Sequence, residues 1–91
     1  MKNGVIIWKY GSIIVVSFDM ISVSDSDPII PSGYGYYPKF NIMSVATNHT
    51  DNSFLRAVLD TNGSVKLRTV SGAVISSGAK TICCSFAYGI W

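Results

Sequence analysis

Two adjacent thiols (Cys83 and Cys84), a single histidine (His49) and the acid pair Asp25 and Asp27 are the side chains with which this chain could attempt covalent or acid–base chemistry. A cysteine nucleophile needs an imidazole within hydrogen-bonding reach and a third group to orient it. Here the thiols lie inside an apolar segment, which disfavours the thiolate, and His49 lies in a polar stretch. Glycosidase chemistry needs two carboxylates converging on one bond, whereas Asp25 and Asp27 sit just ahead of Pro28 and read as turn formers. Successive strand residues point to opposite faces, so Cys83 and Cys84 cannot easily bond each other or share an ion. With one histidine in the chain, a four-ligand zinc site within a protomer is out of reach. The cysteines read as small apolar residues buried in a reducing compartment, with an intersubunit disulfide as the alternative. No enzymatic activity and no cofactor are expected.

Non-covalent recognition is the chemistry that the residue types suit better. Saccharides present hydroxyls and apolar C–H faces, so their sites combine a stacking aromatic with short planar hydrogen-bonding side chains. Tyr34, Tyr36 and Tyr37 cluster in one loop, and His49, Asp51 and Asn52 in another. Tyrosine also adds contact area at small entropic cost. These six are the candidate ligand-binding residues. The plainer reading has the tyrosines packing beneath their loop or at a subunit contact, and Asn48 to Asn52 forming a solvated turn. Trp8 and Trp91 read as core or interface anchors, and Arg56 and Arg68 as an exposed cross-strand patch.

The elements that must position these residues all read as strands. Apolar residues recur with a period of two, which marks half-buried strands. Ile14, Val16, Phe18 and Met20 share one face of a strand ending near Val23. Ile82, Cys84, Phe86, Tyr88 and Ile90 share one face of a closing strand from Lys80 to Trp91. A first strand runs from Val5 to Tyr10, turned by Gly11-Ser12. Residues 24 to 35 carry Ser, Asp, Pro and Gly and are expected to run outside the sheets. A strand from Pro38 to Thr47 follows, then the polar tip Asn48 to Ser53. Next is a hairpin, Phe54 to Asp60 and Ser64 to Val70, about Thr61-Asn62-Gly63, the strongest short hairpin signal. Its arms bury Leu55, Ala57 and Leu59 against Val65, Leu67 and Thr69, leaving Arg56, Asp60, Lys66 and Arg68 outside. A brief strand around Val74 completes about seven. The expected class is therefore all-β: one domain, residues 1–91, an antiparallel β-sandwich or flattened barrel.

Composition points to a partner. A chain of 91 residues buries only roughly 60–65% of its unfolded surface, yet 48% of its residues are hydrophobic and 13% charged. That surplus implies exposed apolar patches or a partner over them, and self-association fits best, since obligate interfaces resemble a divided core. All five acids are Asp, with neither Glu nor Gln, so two good helix formers are missing. The net charge of +2 is scattered without a basic stripe, which argues against nucleic acid. No stretch reaches the 18 or so apolar residues of a membrane span, and no signal peptide is evident. The sequons at Asn48 and Asn62 then read as chance matches.

The order of motifs resembles the C-terminal head domain of bacteriophage tail fibres and baseplate receptor-binding proteins. The residues that carry the likeness are Trp8-Lys9-Tyr10-Gly11-Ser12-Ile13-Ile14-Val15-Val16, then Ile30-Pro31-Ser32-Gly33-Tyr34, then Leu59-Asp60-Thr61-Asn62-Gly63-Ser64-Val65. Gly78 and the aromatic closing strand of Phe86, Tyr88 and Trp91 complete it. The likeness spans roughly residues 4 to 91. It departs at Tyr34, which runs on as Gly35-Tyr36-Tyr37-Pro38 where the element usually continues Tyr-Arg-Pro. The resemblance implies a β-sandwich head, usually a homotrimer, on a virion tail, that binds a host cell-surface glycan. The alternative is a structural trimerisation or capping module of a fibre with no ligand of its own.

Overall fold

The alternation that begins at Ile13 becomes an eleven-residue strand, paired on both sides in the sheet. The computed structural model describes residues 4–24, 28–33, 36–75 and 78–90, and none of these is helical. They form six strands: β1 Val5–Tyr10, β2 Ile13–Val23, β3 Ile42–Asn48, β4 Ser53–Leu59, β5 Val65–Arg68 and β6 Lys80–Gly89. All lie in one antiparallel sheet ordered β1-β2-β6-β3-β4-β5, curled into a half-barrel. The segment expected to form a strand around Val74 carries none. Thr69 to Ala73 close into a turn instead, with Thr69 N donating to Ala73 O (2.9 Å) and Gly72 N to Thr69 O (2.8 Å).

Parity decides which side chains fill the curl. Ile14, Val16 and Phe18 of β2 face Tyr88, Phe86 and Cys84 of β6, and the Phe18 and Phe86 rings meet edge to face at 6.3 Å. Ala46 of β3, Leu55, Ala57 and Leu59 of β4, and Val65 and Leu67 of β5 complete the buried layer. The faces expected for the hairpin arms and for β6 are thus the observed ones. Asp60 and Lys66 pair outside at 2.8 Å. The hairpin turn needs its glycine: Gly63 adopts φ 86, a region that costs L-residues about 1–2 kcal/mol.

Met20 departs from expectation. The pairing Phe18↔Cys84 is followed by Ile21↔Ile82, so β2 holds one extra residue against β6. This β-bulge reverses the parity: Ile21 and Val23 turn inward while Met20 is exposed. Met20 adopts φ 49, and its N–H is directed at Cys83 Sγ (3.2 Å). Gly4 meets β2 at the same place, its carbonyl accepting from Asp19 N (3.2 Å). A β-carbon on Gly4 would lie 2.8 Å from Ile21 Cγ2, so the close approach excludes a larger residue.

The loop after β2 is not simply outside the sheet. Ile29 and Ile30 are fully buried. They bridge the edge of β5, with Ile29 N donating to Val65 O (2.7 Å) and Val65 N to Ile30 O (3.0 Å). Two side chains of this loop therefore plug the open side of the half-barrel, and its backbone covers one sheet edge. The strand expected from Pro38 starts only at Ile42, because Pro38 lacks a ladder donor and residues 39 and 40 bend.

Candidate functional site

The tip between β3 and β4 is a turn held by its own polar side chains. Asn48 is buried, and its Oδ1 accepts from Thr50 N (3.0 Å). Asp51 Oδ1 accepts from Ser53 N (3.1 Å) and from Ser53 Oγ (2.5 Å). Asn52 takes the left-handed conformation, φ 59, which asparagine tolerates better than most residues. Two bonds fasten the turn to the start of β6: His49 N to Thr81 O (2.8 Å) and Thr81 N to Thr50 Oγ1 (3.0 Å). Asp51 is thereby a builder of the turn as much as a candidate contact, while His49 and Asn52 stay exposed.

One imidazole nitrogen is committed. Thr47 Oγ1 lies 3.0 Å from His49 Nε2 and donates to Cys83 O (3.3 Å). Thr47, His49, Asn52 and Phe54 border a cleft of about 200 Å³. Phe54, 61% exposed, supplies an aromatic plane beside an imidazole, an amide and a hydroxyl. Phe54 is not among the six candidates that residue type alone picks out. The signal was available, since Phe54 shares parity with Arg56 and opposes the buried Leu55.

Thr47 also borders a broader, open trough of about 560 Å³ on the outer face of the sheet, where Trp8 stands among Ser17, Asp19, Cys83 and Ser85. The indole is 40% exposed, so Trp8 is not the core anchor that was one of its expected roles. Cys83 and Cys84 point to opposite faces, as their adjacency requires, and both are free thiols. The Cys83 thiol is aimed at Asp19 Oδ1 (3.9 Å), whereas the His49 ring bonds Thr47. Thiol and imidazole therefore flank Thr47 without forming a nucleophile–base pair. Among the described residues, no three His, Cys, Asp or Glu side chains gather as a metal site would require.

The tyrosine loop lies elsewhere. Tyr34 falls outside the described residues, as do Asp25, Asp27 and Trp91. Tyr36 O accepts from Tyr88 Oη (2.7 Å) near the end of β6, Lys9 Nζ sits 5.8 Å from the Tyr36 ring centroid, and Tyr37 is 52% exposed. The β3–β4 turn is fastened at Thr81, seven residues before Tyr88 on the same strand, so roughly 23 Å separates the two anchor points at about 3.3 Å per residue. Within one protomer, Tyr36 and Tyr37 do not share a site with His49, Asp51 and Asn52.

Burial pushes the Tyr88 phenol above its ordinary range, with the Tyr36 phenol adding to the shift. It raises the Cys84 thiol too. Groups whose folded value is raised favour folding while protonated, and that contribution is lost as pH climbs past the unfolded value. Stability should therefore fall from about pH 8.5 upward for the thiol and from about pH 10 for the phenol. Urea unfolding of Tyr88→Phe should lose the upper part of this decline; an unchanged profile above pH 10 would contradict it. No protein-family model matches the chain, and no curated protein matches it in sequence.

Proposed function

We propose that the chain is the receptor-binding head of a phage or prophage tail fibre, a homotrimer that holds a host cell-surface saccharide without a cofactor. The observation that carries this reading is the turn cleft, in which Phe54 stands beside His49, Asn52 and the Thr47 hydroxyl on a frame fixed by its own hydrogen bonds. A rigid aromatic plane with convergent short polar groups suits a sugar ring, whose apolar face stacks while its hydroxyls bond. Asp51 keeps this turn in shape. Tyr36 and Tyr37 offer a second contact surface at the far end of the sheet.

Self-association is supported by the apolar side chains on the outer sheet face. Ile6, Met43 and Val45 are each more than half exposed, and a single copy leaves them in water. Light scattering should return three times the 9.8 kDa protomer mass. On an array of bacterial surface saccharides, the protein should bind at least one class. Phe54→Ala and His49→Ala should weaken that binding about tenfold or more, the scale of a central contact, with an unchanged melting temperature. Tyr37→Ala and Asp51→Ala test the remaining contacts. A trimer that is silent on every saccharide would overturn the binding assignment in favour of a structural capping module.

A further inference from the structure

We propose that Arg56 and Arg68 form a subsite for an anionic substituent, phosphate or carboxylate, on the saccharide; this rests on the receptor-binding reading and adds to it the charge class of the ligand. The two arginines are direct cross-strand partners on β4 and β5. Directly opposed residues place their β-carbons about 4.5–5.5 Å apart, and like charges there are destabilising. Among the described residues neither guanidinium has a carboxylate within ion-pair distance. Asp60 is held by Lys66, Asp51 by Ser53, and Asp19 lies across the sheet beside Cys83.

The donors are also held in place. Arg56 Nη2 donates to Val70 O (2.6 Å), and Arg68 Nη1 to Leu67 O (2.8 Å). Arg56 Nη1 packs against the turn at Gly72, where an added β-carbon would sit 3.4 Å away. A guanidinium has five N–H donors, so each arginine retains several for a ligand while its position is fixed by a main-chain carbonyl. An oxyanion between two such forks would receive charge-assisted bonds and remove the repulsion at once. Met43, Val45 and Val70 wall a cleft of about 200 Å³ beside Arg56, an apolar surface suited to the C–H face of the ring that carries the charge.

Placement ties this subsite to the turn cleft. Phe54 and Arg56 lie two residues apart on the same face of β4, about 7 Å along the strand. A sugar stacked on Phe54 would bring a substituent on the next unit to Arg56. The charge is confined to two side chains, too few for the many phosphate contacts from which nucleic-acid affinity is built.

The test uses the whole chain and three polymers: poly(glycerol phosphate), polygalacturonate and neutral dextran. Calorimetry should show at least one polyanion binding about tenfold more tightly than dextran, with the preference weakening as salt rises. Arg56→Gln and Arg68→Gln should each abolish that preference, and which polymer wins tells phosphate from carboxylate. Without ligand, Arg68→Gln should melt at or above the parent temperature, because it removes the like-charge pair. Polyanions that bind no better than dextran, or a preference that survives both substitutions, would overturn the subsite. A separate readout follows the Arg56 and Arg68 Nε–H signals during titration with inorganic phosphate. If they shift in the parent and not in Arg68→Gln while no neutral glycan binds anywhere, the anion subsite stands and the wider saccharide reading falls. If neutral glycans bind but the signals stay still, the subsite alone fails.

Discussion

Replacing Phe18 by alanine is expected to lower the unfolding free energy by about 3–5 kcal/mol, the range for large core aromatics. Phe18 is 2% exposed, it meets Phe86 edge to face, and it sits opposite Cys84 on a strand paired along both edges. Its neighbours are fixed by ladder pairing on both sides, through β1 and β6, so the void closes poorly. Domains of this size hold only about 5–15 kcal/mol in total. Urea titration should therefore show a midpoint far below the parent's, or no folded baseline. A loss under about 1 kcal/mol would mean that the half-barrel is not packed as described.

The second large effect distinguishes two neighbouring residues of β2. Ile21→Ala should cost about 2–5 kcal/mol, because Ile21 is buried opposite Ile82. Met20→Ala should stay within about 0.5 kcal/mol, as exposed substitutions do. Met20→Gly should stabilise by up to about 1 kcal/mol, since the φ of 49 at this position suits a residue without a β-carbon. Unbroken alternation along β2 requires the opposite ranking of Ile21 and Met20. Denaturation of the three variants side by side would show which face each residue occupies.

That contrast also shows how far the fold can be read from residues alone. β1 needed only its short apolar patch and the glycine after it, and the hairpin announced itself through Asn62-Gly63 and the matched parity of its arms. The bulge was illegible because Met20 is as apolar as Phe18 and Ile21, and neither glycine nor proline marks the extra residue. Pro28 and Pro31 identified a loop correctly. They gave no hint that Ile29 and Ile30 between them would fill the barrel's open side, which depends on how the sheet curls. Of the candidate site, His49 and Asn52 are where a polar tip should be, and Phe54 was recoverable from parity. The distance between the tyrosines and that tip was not recoverable. It follows from strand order, and order is set by which edges find each other after the local elements exist.

The place of β6 in that order has a consequence for biosynthesis. It lies between β2 and β3, yet the ribosome makes it after all five of the others. Until it leaves the exit tunnel, the β1–β2 hairpin and the β3–β4–β5 meander lack the strand that joins them, each with one oily side uncovered, and only the contact of Ile29 and Ile30 with Val65 can link them. Closure of the sheet thus waits for β6 to be made. Nascent chains stalled before Lys80 should be the species that chaperones capture and proteases cut.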